Sequence, residues 1–109
     1  MNISDTVDSL AALAQATRLS IFRLLVRHAP GGLPAGTIAR TLKLPGPTLS
    51  FHLNVLAAAE LVTARKSGRS ISYSANLERV GRVTGFLLEN CCGGKGCEPL
   101  ARKGNREAL

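Results

Sequence analysis

The sequence of 109 residues is long enough for one domain with a modest core, and 14 Lys and Arg against 7 Asp and Glu give it a formal net charge of +7. This balance favours a polyanionic partner, nucleic acid above all, over a charge excess that serves solubility alone. With no Trp and one Tyr, the chain lacks aromatic platforms for stacking bases, which argues against single-stranded nucleic acid.

The hydropathy pattern contains no run of about 18 apolar residues, so no membrane span is expected. The first residues lack the basic and apolar regions of a signal peptide. We therefore expect a cytoplasmic protein with no membrane partner. Its three cysteines are then expected to serve as thiols, metal ligands or redox groups rather than as structural disulfides.

Two helices are predicted at the start of the chain. The first is expected over residues 5–14, capped by Ser4 or Asp5. The second is expected over residues 18–28 with Thr17 as its cap, and it is apolar over most of its circumference, as is typical of a central buried helix. On the first helix, the apolar positions at helical spacing are Val7, Leu10, Ala11 and Ala14.

A helix-turn-helix is predicted in the middle of the chain, preceded by a candidate strand of one or two residues at Leu33. Residues 37–42 form its first helix, residues 43–46 its turn, and the second helix starts at Pro47 and continues to about Ala59. On this second helix one face carries Leu49, Leu53 and Leu56, and the opposite face is small and mostly polar. Such a helix is typical of one that enters the DNA major groove by its N-terminal turns, and the alternative is an ordinary amphipathic surface helix.

The outward face of this helix supplies candidate residues for reading base pairs. Thr48, Ser50 and Asn54 have the required donors and acceptors, and Phe51 is suited to a thymine methyl group. His52 lies near the edge of this face, where a bond to a phosphate and a bond within the fold are equally compatible with the sequence. The residues expected to face DNA from this helix are Pro47, Thr48, Ser50, Phe51, His52 and Asn54.

A β-hairpin is predicted directly after the recognition helix. Residues 62–66 and 70–74 alternate in polarity, and Ser67-Gly68 between them is a turn signal. Arg65, Lys66 and Arg69 surround the tip and are expected to contact the sugar-phosphate backbone, which positions a protein without specifying sequence. The alternative is a solvated turn, and the position beside a helix-turn-helix favours the DNA contact.

The last helix is predicted over residues 77–90, and its apolar side consists of Val80, Val83, Thr84 and Leu87. Gly81 and Gly85 lie four residues apart on it. Each costs a helix about 1 kcal/mol relative to Ala, a cost that is tolerable where two backbones approach closely. Together with the first helix, this helix is the candidate dimer interface. It closes a predicted domain of residues 1–90, and residues 91–109 are expected to form a cysteine-containing tail.

Three cysteines, Cys91, Cys92 and Cys97, stand within seven residues of each other with three glycines between them. Thiolates select soft ions. Zinc prefers four ligands, and neither His lies nearby in the sequence, so a trivalent arsenic or antimony ion held by three thiolates fits the set better. The alternatives are a redox switch that forms a disulfide, a bridge between two subunits, or a cluster without function.

Three stretches of the chain resemble the ArsR/SmtB family of winged-helix metalloregulators. Residues 13–25 are similar to the second-helix signature of that family, residues 48–56 to its recognition helix, and residues 60–62 and 65–73 to the end of that helix and the wing. The resemblance covers residues 5–90. It implies a homodimeric repressor that binds an inverted-repeat operator in double-stranded DNA and is released by its inducer.

The inducer site departs from two patterns of the family. The helix before the turn carries no cysteine pair, unlike the arsenic sensors of the enteric type, and Glu78 and Glu89 stand on the last helix without the His ligands of the zinc sensors. Cys91, Cys92 and Cys97 instead resemble the C-terminal three-cysteine arsenite site of some family members. This likeness implies arsenite as the inducer, with antimonite as a second ligand of the same chemistry.

The predicted fold is mainly α with a small β-hairpin, in the order α-α-α-α-β-β-α, as a homodimeric winged helix-turn-helix. The predicted function is a transcriptional repressor that leaves its operator when arsenite or antimonite binds. A repressor of the same fold that senses thiol oxidation or another soft metal remains the alternative, beside a constitutive DNA-binding protein. No nucleophile–base pair, phosphate loop or acidic dyad indicates an enzyme.

Overall fold

A computed structural model describes residues 1–94 of the chain, and it confirms the winged helix-turn-helix in the predicted order. The fold consists of five helices and a three-stranded antiparallel sheet, and a short 3-10 turn follows the last helix. The elements are α1 (Ile3–Leu13), α2 (Ala16–Arg27), β1 (Leu33–Pro34), α3 (Ala35–Leu42), α4 (Gly46–Ala58), β2 (Val62–Ser67), β3 (Ser70–Ala75), α5 (Leu77–Leu87) and the 3-10 turn Cys91–Gly94. The sheet packs against α2, α3 and α4.

Four helix starts differ from the sequence-based prediction, each by one or two residues. Asn2, not Ser4 or Asp5, caps α1, because its Oδ1 accepts the Asp5 amide at 2.7 Å. Gln15, not Thr17, caps α2, because its Oε1 accepts the Arg18 amide at 2.8 Å. The third helix begins at Ala35, directly after Pro34. The starts of α1 and α2 lie earlier than predicted because the capping acceptor stands before the residue that propensity favours. The fourth helix begins at Gly46, one residue before Pro47, and neither α3 nor α4 has a side-chain cap.

The candidate strand at Leu33 is confirmed and extends the hairpin into a sheet of order β1-β3-β2. Leu33 pairs with Tyr73, and the β2–β3 ladder runs from Val62–Ala75 to Ser67–Ser70. Gly32 makes this pairing possible. Its φ of +82° is left-handed, and a Cβ placed there would collide with the Tyr73 carbonyl group.

The core lies between α2, α4 and the sheet. Leu49, Leu53 and Leu56 of α4 are buried as predicted. They pack in one cluster with Ile21 and Leu25 of α2, both of which are fully buried. This cluster holds the recognition helix by its leucine face and leaves the opposite face open.

The buried side of α1 is not its most apolar side. Thr6, Ser9 and Ala12 are buried, whereas Val7 and Leu10 are exposed. The α2 helix is also less enclosed than predicted, because Leu19 and Val26 are exposed. Within residues 1–94 no single helix is long and apolar enough to cross a membrane. Only α1 and α2 taken together pass the length and composition test, and their axes are bent by 97° at the break.

Candidate nucleic-acid interface

The recognition helix α4 presents a small exposed face to solvent. Pro45 precedes the helix as its N-cap residue and Pro47 stands in its first turn, where a missing amide hydrogen costs nothing. Phe51 is 61% exposed, an unusual state for a large aromatic side chain. Five of the six predicted contact residues share this exposed face, namely Pro47, Thr48, Ser50, Phe51 and Asn54.

His52 is the sixth predicted contact residue, and it lies on the inward side of α4. Its side chain is only 9% exposed. Arg18 Nη1 donates to its Nδ1 at 3.3 Å, and the His52 ring meets the Phe51 ring edge-on at a centroid distance of 5.3 Å. Of the two alternatives left open by the sequence, the structure therefore shows the bond within the fold.

The wing extends beyond the helix-turn-helix as a regular hairpin. Gly68 occupies its tip with a left-handed φ of +61°. The three predicted phosphate contacts, Arg65, Lys66 and Arg69, are all exposed, and none of them forms an ion pair with another residue of the described chain. They are therefore available to an external anion such as a DNA phosphate.

The candidate dimer face is apolar and uncovered. Ile3 of α1 is 68% exposed and Leu87 of α5 is 58% exposed. A Cβ added at Gly81 or Gly85 would meet no atom within 4 Å among residues 1–94. Both glycines therefore face open space in the described part of the protomer. The exposed large apolar residues of the two helices are Ile3, Val7, Leu10, Leu77 and Leu87, with Leu88 directly after α5.

A polar network that sequence reasoning missed joins α5 to the recognition helix. Asn76 Nδ2 donates to the Glu60 carbonyl oxygen at 2.9 Å, and the Asn76 amide donates to the Leu61 carbonyl oxygen at 2.8 Å. Arg79 Nε donates to Ser9 Oγ at 3.1 Å, and Arg79 Nη1 lies 3.9 Å from Glu60 Oε1. Asn before an apolar helix is a capping signal that could have revealed Asn76. Arg79 and Ser9 lie 70 residues apart, and no local pattern reveals them.

Two of the three cysteines fall within the described residues. Cys91 and Cys92 stand in the 3-10 turn after α5, with their Sγ atoms 3.7 Å apart. Cys92 and Gly93 have left-handed φ values of +59° and +68°, so the backbone is kinked at this turn. Cys97 lies outside the described residues, and residues 1–94 contain no group of three side chains placed to hold a metal ion. The three-thiol site therefore stays a prediction.

The leucine-anchored α4, its open N-terminal face and the basic wing define a DNA-binding winged helix-turn-helix regulator. A helix-turn-helix domain model matches residues 13–65. An HTH-type transcriptional regulator of Methanocaldococcus jannaschii is 44% identical over 78 residues, which cover 72% of this chain and 85% of that protein. The transcriptional repressor SdpR of Bacillus subtilis is 37% identical over 65 residues, which cover 60% of this chain and 69% of that protein.

Comparison with solved structures identifies the fold more specifically. An ArsR-like transcriptional regulator from Rhodococcus sp. RHA1 superposes with a TM-score of 0.71 at 26% identity, over 97% of this chain and 96% of that one. A homodimeric winged helix-turn-helix DNA-binding domain from Mycobacterium bovis, described as a possible ArsR-family regulator, gives a TM-score of 0.66 at 28% identity, over 78% of this chain and 76% of that one. The chain belongs to the ArsR family of helix-turn-helix transcriptional regulators.

Proposed function

We propose that the protein is a homodimeric repressor that binds an inverted-repeat operator and dissociates when arsenite or antimonite binds Cys91, Cys92 and Cys97. The single observation that carries DNA binding is the open face of α4, where Ser50, Phe51 and Asn54 stand exposed beside a basic wing. A leucine-anchored helix with this face is suited to the major groove.

The apolar face of α1 and α5 supports the dimer. Leaving six large apolar side chains in water costs free energy that a second copy of the same face recovers. A two-fold axis through this face would present the two recognition helices to successive major grooves, about 34 Å apart along the DNA.

Thiolate chemistry supports the inducer. Arsenite is As(OH)₃ at neutral pH, and three thiols replace its hydroxyl groups with three S–As bonds while three water molecules leave. Cys91 and Cys92 already lie 3.7 Å apart, so two of the ligands are close together before the ion arrives. Cys97 supplies the third thiol in this proposal.

The route from the thiols to DNA runs along α5. Cys91 and Cys92 follow its C-terminal end, and Asn76 at its start is bonded to Glu60 and Leu61, which directly follow the recognition helix. A reordering of the end of α5 in the dimer interface would therefore change the angle between the two recognition helices. A typical coupling of ~1–3 kcal/mol weakens DNA binding by roughly 5–150-fold.

A thiol-redox switch is the second candidate, because the same adjacent thiols favour it. Hydrogen peroxide would take two electrons from two thiols, leaving one disulfide and two water molecules. Oxidation would then release DNA in the absence of any metalloid.

Fluorescence anisotropy of the reduced protein on DNA from upstream of its own gene tests these proposals. Arsenite, antimonite, zinc, cadmium and peroxide are titrated separately at fixed salt, because affinity for DNA depends on salt. Release by arsenite and antimonite but not by zinc or peroxide supports the metalloid sensor. Release by peroxide alone replaces it with the disulfide switch.

Single Cys→Ser variants then map the ligands. Cys97→Ser and Cys91→Ser should each bind DNA as the wild type does and lose the response to arsenite. The triple Cys→Ser variant is the control for DNA binding itself. If Cys97→Ser still leaves DNA at the wild-type arsenite concentration, the site does not use three thiols.

A further inference from the structure

Arg18 stands where α1, α2 and the recognition helix meet. Its Nε donates to the Ala12 carbonyl oxygen at 2.7 Å and its Nη1 donates to His52 Nδ1 at 3.3 Å. A guanidinium group can only donate, so Nδ1 of His52 acts as the acceptor and the ring proton lies on Nε2. One side chain of α2 thus holds the C-terminal end of α1 and the middle of α4 at the same time.

Both acceptors depend on this arginine. Ala12 lies in the last turn of α1, where carbonyl groups have no amide partner within the helix. The His52 side chain is only 9% exposed, and no other described side chain or backbone group donates to its ring. Burying either acceptor without a donor is unfavourable, so the two bonds form together when α1 and α4 are correctly placed.

The contact between α1 and α4 is incomplete on one side. A groove of about 410 Å³, open to solvent, lies beside Arg18 and is lined by residues of both helices. Its apolar lining consists of short side chains, namely Ala11 and Ala12 from α1, Val55 and Ala58 from α4, and Ala59 directly after α4. Because short side chains line this groove, the directional hydrogen bonds of Arg18 add to the packing of Ala12 in the core and resist rotation of α4 against α1.

His52 lies next to Phe51 and two residues before Asn54, so a rotation of α4 that moves the His52 ring also moves the exposed contact face. We propose that Arg18 and His52 are a positioning pair that fixes the orientation of the recognition helix relative to the dimer face on α1, and so sets operator affinity. This inference rests on the proposed function, since it requires that α4 reads DNA and that α1 lies in the dimer.

A double-mutant cycle tests the pair. Arg18→Gln, His52→Ala and the double variant are compared on the duplex that the wild type selects from a random library and on a duplex of unrelated sequence. Arg23→Gln is the matched control, because Arg23 is an exposed arginine of the same helix without a hydrogen bond or ion pair in the described chain. It reports the loss of one positive charge alone.

We expect Arg18→Gln to lose at least about tenfold more affinity for the selected duplex than Arg23→Gln does, and to match Arg23→Gln on unrelated DNA. The double variant should bind no more weakly than either single variant, because each single change already breaks the link. Additive losses, or equal losses for Arg18→Gln and Arg23→Gln on the selected duplex, would overturn the proposal. A wild type that selects no sequence would instead refute the proposed function itself.

Two further measurements keep the result independent of folding. Water that enters the open groove can satisfy the freed acceptors, so the variants should fold. If Arg18→Gln does not fold, Arg18→Lys replaces it, because lysine keeps the charge but cannot reach both acceptors with the same geometry. Nitrogen NMR of the free wild type should show the His52 proton on Nε2. A proton on Nδ1 would contradict the hydrogen bond from Arg18 and with it the positioning pair.

Discussion

Asn76 joins the beginning of α5 to Glu60, in the turn that follows the recognition helix. Its Nδ2 donates to the Glu60 carbonyl oxygen at 2.9 Å, while its Oδ1 accepts the Arg79 amide at 3.2 Å. One side chain therefore caps the candidate dimer helix and ties it to the helix that faces DNA.

Asn76→Ala should lower the free energy of unfolding by ~1–2 kcal/mol, because it removes a cap and a bond to a backbone carbonyl. It should also reduce the ratio of DNA affinities measured without and with inducer. Asn2→Ala is the control, since Asn2 caps α1 without contacting the end of α4. Denaturant unfolding and anisotropy provide the two readouts, and an inducer response equal in both variants would show that Asn76 serves stability alone.

Replacing Gly81 and Gly85 by Ala should make the protomer more stable and the dimer weaker. Each added methyl group meets open space within residues 1–94, so helix propensity should stabilise the protomer by about 1 kcal/mol per site. The same methyl groups should hold two backbones apart and weaken the dimer about tenfold or more, equal to ~1.4 kcal/mol. Sedimentation equilibrium measures this loss. Gly36→Ala in α3 should share the gain in protomer stability and leave the dimer unchanged.

Gly32→Ala should destabilise the fold although the added group is a single methyl. The left-handed φ and the collision with the Tyr73 carbonyl group both oppose it, at a cost of roughly 2 kcal/mol or more. Gly31→Ala is a control one residue away, because a Cβ there meets nothing within 4 Å. Thermal unfolding of the two variants should differ clearly, and equal melting temperatures would argue against the close β1–β3 approach.

Asn54→Ala should relax sequence preference at one or two operator positions. A base contact of this kind contributes ~1–3 kcal/mol of discrimination, while leaving affinity for unrelated DNA nearly unchanged. Competition with operators substituted at one base pair at a time measures the effect. A uniform loss across all operators would place Asn54 on the phosphate backbone instead.

Arg69→Gln should weaken binding to every duplex by a similar factor. Loss of one phosphate contact should also reduce the slope of log affinity against log salt by ~0.9. Arg23→Gln supplies the comparison for loss of charge outside the wing. If the two variants show the same slope, Arg69 does not touch phosphate.

Local sequence patterns were sufficient to predict most of the fold. The spacing of Leu49, Leu53 and Leu56 located the recognition helix and its buried side, and Leu33 marked the extra strand. The caps were misplaced because Asn2 and Gln15 act through the geometry of the chain entering each helix, which propensity does not contain.

The candidate site was predictable from the sequence only where its residues lie close together along the chain. A helical period predicts the exposed face of α4 and also places His52 beside Leu49, Leu53 and Leu56 on the buried side. The bond from Arg18 to His52 spans 34 residues and is not visible in any local pattern. The same limit applies to Arg79 and Ser9. The apolar outer side of α1 is exposed in the protomer. Periodicity identifies an apolar face without saying whether the same chain or a second copy covers it.

The inward side of α1, built from Thr6, Ser9 and Ala12, contributes little to the core of one protomer, whereas Ile3, Val7 and Leu10 point away from it. In a dimer joined through that face, mass action adds to stability: each tenfold rise in protein concentration favours the folded dimer by ~1.4 kcal/mol. The regulator's own abundance then sets how much of it is assembled. In a cell with few copies, a smaller fraction of the protein would be dimeric, and each molecule would repress less on average. The expression level of the protein would then itself be part of the control of the promoter.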